Sequence, residues 1–319
     1  MSIPIENLFS IVIPVKEIDK YTIVAIDKIH SLYPKIKIYI IADKVNSFSN
    51  KQVYQIKAES RNIAAKRNQG VNLSTTPYIA FIDSDAYPIS GWLEAAYNFL
   101  ESNPDCALVG GPNLKYEYSE VKQEIPILAY QSFLINNEPS NLSSPKKVKI
   151  ISSSNLAIRK QVFLNVGGMN PNIYTGEDIE LCYKVVKQMH DIYFLPKMKV
   201  RHKQRSFKGF LRQRFIWGRG VLTVLKYTFP YYISSLFPFL IILLALYLLT
   251  LKTFFFLLFI FIYSAACLIE SFRVSKNLYN TLRVFPFIFS SLITIGLGTF
   301  YSIFFGDINN NYSNYKNFE

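Results

Sequence analysis

The stretch Pro77-Tyr-Ile-Ala-Phe-Ile-Asp-Ser-Asp-Ala-Tyr-Pro88 decides the fold. Tyr78 to Ile82 is a short apolar run with β-branched and aromatic side chains, the composition of a strand buried on both faces of a parallel sheet. It stops at two carboxylates one residue apart, Asp83 and Asp85. Pro88 lacks a backbone donor and is expected to forbid further strand pairing. In open α/β sheets, ligands collect outside the carboxyl ends of strands. Two acids at i and i+2 across such a turn can share one hard cation, and that cation can hold a diphosphate as well. A merely solvated acidic turn would read the same over so short a stretch, so the neighbouring segments decide.

Upstream, Ser10-Ile-Val-Ile-Pro-Val-Lys-Glu17 reads as an apolar strand ending near Pro14, and Tyr21 to Leu32 carries Ile23, Ile26 and Ile29 at helical spacing. Lys37 to Ala42 is a second strand closed by Asp43, and Ser60 to Val71 is a loop and basic helix that feeds the central strand. Downstream, Trp92 to Leu100 is helical and is stopped by Asn103-Pro104, and Cys106 to Gly110 is another strand. This alternation predicts an α/β fold, a mostly parallel sheet flanked by helices on both faces.

Beyond Pro112 the pattern weakens. Lys115 to Lys149 is polar and offers loops for an acceptor. Ile150 to Lys160 reads as a strand turning into a helix over Gln161 to Asn165, followed by a Gly167-Gly168 turn. Tyr174-Thr-Gly-Glu-Asp-Ile-Glu180 then opens a helix with Thr175 as the expected N-cap. Glu177 and Asp178 fall in its first turn, where the helix dipole stabilises their charge. Ile192 to Leu195 is a further strand. Val200 to Gly220 is basic with aromatics interleaved and includes His202, Arg205, Arg212 and Arg214. Such a run suits nucleic acid, anionic lipid or the phosphates of a nucleotide. No helix-turn-helix, zinc spacing or RNA-binding aromatic signature accompanies it, so nucleic acid is excluded as a partner.

The last third is apolar. Tyr227 to Leu251, Thr253 to Ile269 and Val284 to Gly306 carry no charged side chain, and each approaches the roughly 20 residues that a spanning helix needs. Lys252 is the only charge in the first connection, whereas the second holds Arg273, Lys276 and Arg283. The positive-inside rule puts that second connection, and with it the N-terminal domain, in the cytoplasm at the plasma membrane. The chain is therefore expected to divide into a cytoplasmic catalytic domain over 1–225, about three transmembrane helices over 226–306, and a polar tail over 307–319. The net charge is +13, Met1 to Ser10 has no signal-peptide pattern, and three well-separated cysteines point to reduced structural thiols.

Together, Ser10-Ile-Val-Ile-Pro14, Ala65-Lys-Arg-Asn-Gln-Gly70, Ile82-Asp-Ser-Asp85, Ser154-Asn-Leu-Ala-Ile-Arg159, Gly167-Gly-Met169 and Gly176-Glu-Asp-Ile-Glu180 occur in the order found in one family. From about Ser10 to about Gly220 the chain resembles the family 2 glycosyltransferases, inverting enzymes of the nucleotide-diphosphosugar transferase (GT-A) fold. The resemblance implies a UDP- or GDP-sugar donor, Asp83 facing the nucleoside, Asp85 coordinating Mn²⁺ or Mg²⁺, and Asp178 as catalytic base, with Glu177 the alternative base. It also implies that Pro14, Glu17, Asp43 and Arg67 line the nucleotide pocket. His202 resembles the histidine that completes the metal shell in some members, and a structural histidine is the other reading.

The residues support this chemistry independently. Expelling a nucleoside diphosphate requires its charge to be neutralised, by a metal on Asp85 or by the basic run with Arg205, Arg212 and Arg214. The acceptor hydroxyl needs a carboxylate to take its proton. Two departures narrow the subfamily. Processive polysaccharide synthases carry Gln-x-x-Arg-Trp, and here Gln213-Arg-Phe-Ile-Trp217 has Ile216 in the arginine's place. Polyprenyl-phosphate sugar synthases usually place a glutamine after the acidic pair, and here Ala86-Tyr87 follow. A non-processive transferase acting on a membrane-associated acceptor remains the leading expectation. A nucleotidyltransferase would want a glycine-rich loop after the first strand, and a non-catalytic membrane scaffold would have lost its acids.

Overall fold

A computed structural model describes residues 3–45, 52–117, 124–135 and 143–306. The expected tail 307–319 and parts of the polar stretch 115–149 lie outside the described residues. The chain divides into two compact units, one over 1–117 and 140–203, the other over 118–139 and 204–319.

The first unit is built on an eight-stranded, mostly parallel sheet. β1 (Phe9–Val15), β2 (Lys37–Ala42) and β4 (Tyr78–Ile82) lie side by side, β3 (Val53–Lys57) forms the edge beyond β2, and β10 (Asp191–Phe194) and β8 (Lys146–Lys147) close the other side. β1 pairs in parallel with β2 and with β4, so all three present their carboxyl ends to the same side. Alternate residues of β4 explain its unbroken apolar run. Tyr78, Ala80 and Ile82 join one core with α1 (Lys20–Leu32) and α3 (Trp92–Ser102). Ile79 and Phe81 join the other, with α2 (Ile63–Leu73), α5 (Lys160–Asn165) and α6 (Glu177–Lys187). α1 starts where Asp19 accepts from the backbone N–H of Tyr21 and Thr22 and Thr22 reaches back to Asp19, a capping box. α2 lies so close to β1 that a Cβ at Gly70 would strike Val12, which accounts for the glycine in Ala65 to Gly70.

Two expectations are refined, the first and last below, and two are corrected. The segment 150–160 yields β9 (Asn155–Arg159), which runs antiparallel between β4 and β6 (Cys106–Gly110). Pro88 does not end pairing: Ala86–Pro88 forms β5, the edge of a second, three-stranded sheet with β11 (Val200–His202) and β7 (Asn113–Lys115). At an edge the missing N–H of proline costs no ladder bond. The N-cap of α6 is Gly176 rather than Thr175, at a positive φ of 87° that only glycine takes without strain. The basic run over 200–220 is no single segment: after β11 it enters the long helix α7 (Phe207–Thr228).

The second unit contains α7, α8 (Phe237–Leu251), α9 (Thr253–Ser275) and α10 (Leu278–Phe305). Three helical segments, Ile233–Leu251, Thr253–Ser275 and Leu278–Phe305, are long and apolar enough to cross a membrane. α7 and α10 touch backbone to backbone, since a Cβ at Gly218 would meet the Ile295 carbonyl and one at Gly298 the Phe215 carbonyl. Thr299 Oγ1 donates across this crossing to the Gly218 carbonyl at 2.9 Å, the small-residue contact typical of helices packed in lipid. Within the stretch expected to be polar loop, α4 (Glu124–Tyr130) buries Ile125 and Ala129 against Phe210, Val284 and Ile288 of this unit.

Candidate active site

The acids of the opening stretch stand at the carboxyl end of β4, as the parallel sheet requires. The turn that carries them is closed by the Ala86 N–H donating to the Asp83 carbonyl at 3.1 Å. β5 then pairs antiparallel with β11 in a register that sets His202 opposite Ala86, and the Lys203 N–H donates to the Asp85 carbonyl at 3.0 Å. That pairing brings the imidazole to the acids: His202 Nε2 is 3.5 Å from Asp83 Oδ2 and 3.4 Å from Asp85 Oδ1. One ligand atom from each of the three lies within 4.8 Å of the others. Around a hexacoordinate cation with bonds near 2.1 Å, neighbouring ligands stand roughly 3 Å apart and opposite ones roughly 4 Å. Two carboxylates and a nitrogen at these spacings fit a divalent cation of the Mn²⁺ or Mg²⁺ type.

Arg67 ties this cluster to the second acidic group. It projects from α2 with its side chain only 2% exposed, and it donates to Asp83 Oδ1 at 3.2 Å and to Glu177 Oε1 at 2.8 Å. One planar fork thus spans both carboxylates, which a lysine's point charge could not do. Glu177 is buried, and burial, reinforced by the charge of Asp178, raises its pKa against the pull of Arg67. Asp178 is only partly buried. Its Oδ2 accepts the Ser153 N–H at 3.2 Å and its Oδ1 the Ile179 N–H at 2.9 Å. Burial also raises the pKa of Asp178, opposed first by the Ser153 N–H. Of the two acids, Glu177 is committed to Arg67, whereas Asp178 is held by backbone donors alone.

The remaining expected donor residues take varied places. Pro14 is buried inside β1, in register with Ile41. Glu17 is exposed just past β1 and pairs with Lys44 at 3.2 Å. Asp43, past the end of β2, pairs with Lys66 Nζ at 2.8 Å. Lys66 is itself buried and also donates to the Val15 carbonyl at 2.6 Å, so it staples the ends of β1 and β2. In the sequence Lys66 is only one basic residue of the 60–71 stretch; the signal for its role is its place one position before Arg67 on a helix aimed at the strand ends. Arg205, Arg212 and Arg214 belong to the second unit. The first two are exposed, while Arg214 is buried with its guanidinium over the rings of Trp217 at 4.4 Å, Phe210 at 4.8 Å and Tyr130 at 5.0 Å.

Two motifs prove to be scaffolding for this site. Asn68 exchanges hydrogen bonds with Met169, donating to its carbonyl at 2.7 Å and accepting its N–H at 2.9 Å, so α2 grips the turn that leads to α6. Asn155 is fully enclosed, accepts from Trp92 Nε1 at 2.8 Å and donates to the Met198 carbonyl at 2.8 Å. These bonds hold β9 against α3 and the approach to β11.

The family model for glycosyl transferase family group 2 matches residues 78–275. The chain is 29% identical over 164 residues to the pre-mycofactocin glycosyltransferase of Mycobacterium tuberculosis, covering 50% of this chain and 34% of that protein. It is 25% identical over 168 residues to the glucosyl-dolichyl phosphate glucuronosyltransferase of Haloferax volcanii, covering 50% of this chain and 52% of that one. The matched region thus spans a third to a half of these relatives' length. Among solved structures, the mannosyltransferase PcManGT of Pyrobaculum calidifontis, in complex with GDP-Man and Mn²⁺, superposes with a TM-score of 0.58 at 11% identity, covering 92% of this chain and 87% of that one. GalNAc-T7 with UDP, GalNAc and Mn²⁺ gives a TM-score of 0.50 at 14% identity, covering 73% of this chain and 50% of that one. A match over more than half of the chain, spanning both acidic groups, places this protein in glycosyl transferase family group 2: it is a glycosyltransferase with the GT-A fold.

Proposed function

We propose that the protein transfers a sugar, with inversion and without processivity, from a nucleotide-diphosphosugar to a hydroxyl of a membrane-borne acceptor. The observation that carries this reading is the continuous set from Asp85 and His202 through Asp83 and Arg67 to Glu177 and its neighbour Asp178. Asp83, Asp85 and His202 would hold a divalent cation, which would supply positive charge for the departing diphosphate. The imidazole in the set favours Mn²⁺ over Mg²⁺, because imidazole nitrogen suits transition metals and Mg²⁺ prefers oxygen alone. Asp178 accepts the acceptor's hydroxyl proton as that oxygen bonds to the anomeric carbon and the carbon–oxygen bond to the diphosphate breaks. Attack on the face opposite the leaving group inverts the centre. Arg67 keeps Asp83 aligned and fixes the position of Glu177 beside the base.

Pro14, Glu17 and Asp43 surround the strand ends where the nucleoside would lie, with Lys66 fixing the direction of Asp43. Two lines support an acceptor at the membrane: the three apolar helices, and a relative whose name places it on glucosyl-dolichyl phosphate. The reading without processivity rests on Ile216, and on Gln213 being occupied as acceptor for the Tyr130 hydroxyl at 2.9 Å. The charge asymmetry between Lys252 on one connection and Arg273, Lys276 and Arg283 on the other supports a topology with the latter, and the catalytic unit, on the cytoplasmic side of the plasma membrane.

The test is a panel of UDP- and GDP-sugars incubated with full-length protein in its native membranes, with Mn²⁺ or with excess chelator. The expected result is one donor consumed in a Mn²⁺-dependent manner, with the sugar found in the lipid fraction in the opposite anomeric configuration. Retained configuration, or full turnover in chelator, would contradict it.

A further inference from the structure

The segment 131–133, in the stretch that the sequence marked as polar loop, makes contacts that fix its depth relative to α9. Arg273 donates from Nε to Glu270 Oε2 at 2.7 Å and from Nη2 to Glu270 Oε1 at 2.8 Å, a two-pronged pair on the last turns of α9. The turn after α4 completes that pair: the Phe133 N–H donates to Glu270 Oε1 at 2.8 Å, and the Gln131 carbonyl accepts from Arg273 Nη2 at 3.2 Å. The guanidinium stands 4.1 Å over the Phe133 ring. That ring is nonetheless 64% exposed, and Ile269 and Phe272, the chain neighbours of Glu270 and Arg273 on α9, are exposed as well.

Helix geometry sets where this lies. Lys252 is the N-cap of α9 and Arg273 lies in its last turn, 21 positions on, which at 1.5 Å per residue is about 31 Å. The hydrocarbon core of a bilayer is about 30 Å thick. If Lys252 stands at one boundary, Arg273 stands at the other, and so does the ring stacked on it. A second cation–ring pair marks the same end: Arg283 lies 5.1 Å over Tyr279 in the first turns of α10, across the short connection at Lys276 and Asn277. Aromatic rings beside cations are the signature of the headgroup boundary, where one end of the pair is dry and the other wet.

We propose that the turn 131–133 is a membrane-contact site, with the Phe133 ring inserted at the boundary between headgroups and acyl chains on the side of the α9–α10 connection. The occupant of this surface is the bilayer itself. The proposal rests on the reading that α9 crosses a membrane, and it adds that a segment separate from the spanning helices also enters the lipid. Glu270, a carboxylate near the hydrocarbon edge, is tolerated there because this turn and Arg273 satisfy it.

The test uses full-length protein in liposomes of phosphatidylcholine with anionic phosphatidylglycerol. Phe133→Cys is labelled with an environment-sensitive maleimide dye; the native Cys106, Cys182 and Cys267 are buried, and unmodified protein measures any background. Ile262→Cys, 58% exposed in the middle of α9, reports the span itself. An interfacial ring sits roughly 5–10 Å deep, so the label at 133 should be quenched about twofold more by a nitroxide near the ester end of the acyl chain than by one at its tip. The label at 262 should show the reverse. A label at 133 that aqueous iodide quenches as fully as free dye, or that the tip nitroxide quenches best, overturns the proposal while leaving the spanning reading intact. A label at 262 that only iodide reaches overturns both. Should the cysteine variant fail to fold, Phe133→Trp preserves a ring. Its added fluorescence over the two native tryptophans should be quenched by lipids brominated near the headgroup, and an unquenched increment overturns the proposal.

Discussion

At the scale of single residues, the decisive contrast is between Asp178 and Glu177. They are adjacent and both are raised by burial, but only Glu177 is bound to Arg67. Asp178→Asn keeps the volume and removes the proton acceptor, so transfer should fall on the order of 10²-fold or more while donor affinity is unchanged. Steady-state rates set beside donor titrations check this, and near-normal transfer would move the base elsewhere. A base works deprotonated, so a raised pKa moves the acid limb of the rate upward. The wild-type pH–rate profile should therefore fall below a pKa higher than the ordinary aspartate value of 3.8. Arg67→Met tests the link between the two acidic groups. It leaves Glu177 buried without its cation, and breaking a buried pair from one side costs roughly 3–5 kcal/mol. Chemical denaturation should show that loss, and Glu177→Gln added to Arg67→Met should recover part of it. An unchanged midpoint would deny Arg67 its bridging role.

At the scale of elements, α7 provides an internal comparison. Gly218 faces the backbone of α10, whereas a Cβ at Gly209 would meet only ordinary contacts with Arg205 and Ser206. Gly218→Ala should cost about 1–3 kcal/mol through overpacking, while Gly209→Ala should leave the helix as stable or slightly more so. Thermal unfolding in detergent separates the two, and equal effects would contradict the close crossing of α7 and α10. Elements with a local period were legible from the chain: β1, β2, β4 and α1 follow from apolar runs and helical spacing within about a dozen residues. The three-residue strands β5 and β11 were not, because their signal lies in pairing across more than a hundred positions. For the same reason the partnership of His202 with Asp83 and Asp85 could be raised only by resemblance. β3 escaped notice because an edge strand with half-exposed residues lacks a clean apolar run. α4 is hidden because its apolar run, Ile125 to Tyr130, is short and is flanked by polar sequence.

At the scale of the whole molecule, the proposed topology makes a prediction independent of catalysis. Of the two connections between spans, only the one with Lys276 should face the cytoplasm. In intact cells, Lys252→Cys should react with a membrane-impermeant maleimide, and Lys276→Cys should react only after permeabilisation. The opposite pattern would invert the proposed orientation and expose the catalytic unit to the outside.

The central claim is that Asp83, Asp85 and His202 form a metal centre that binds the donor. The most direct measurement follows free Mn²⁺ by its paramagnetic resonance signal during titration with full-length protein and UDP or GDP. Wild type should bind Mn²⁺ more tightly when the matching nucleotide is present. Asp85→Ala and His202→Ala should each weaken that binding by about tenfold or more, as the loss of one ligand from a small donor set implies. Undiminished, nucleotide-enhanced Mn²⁺ binding in both variants would contradict the account.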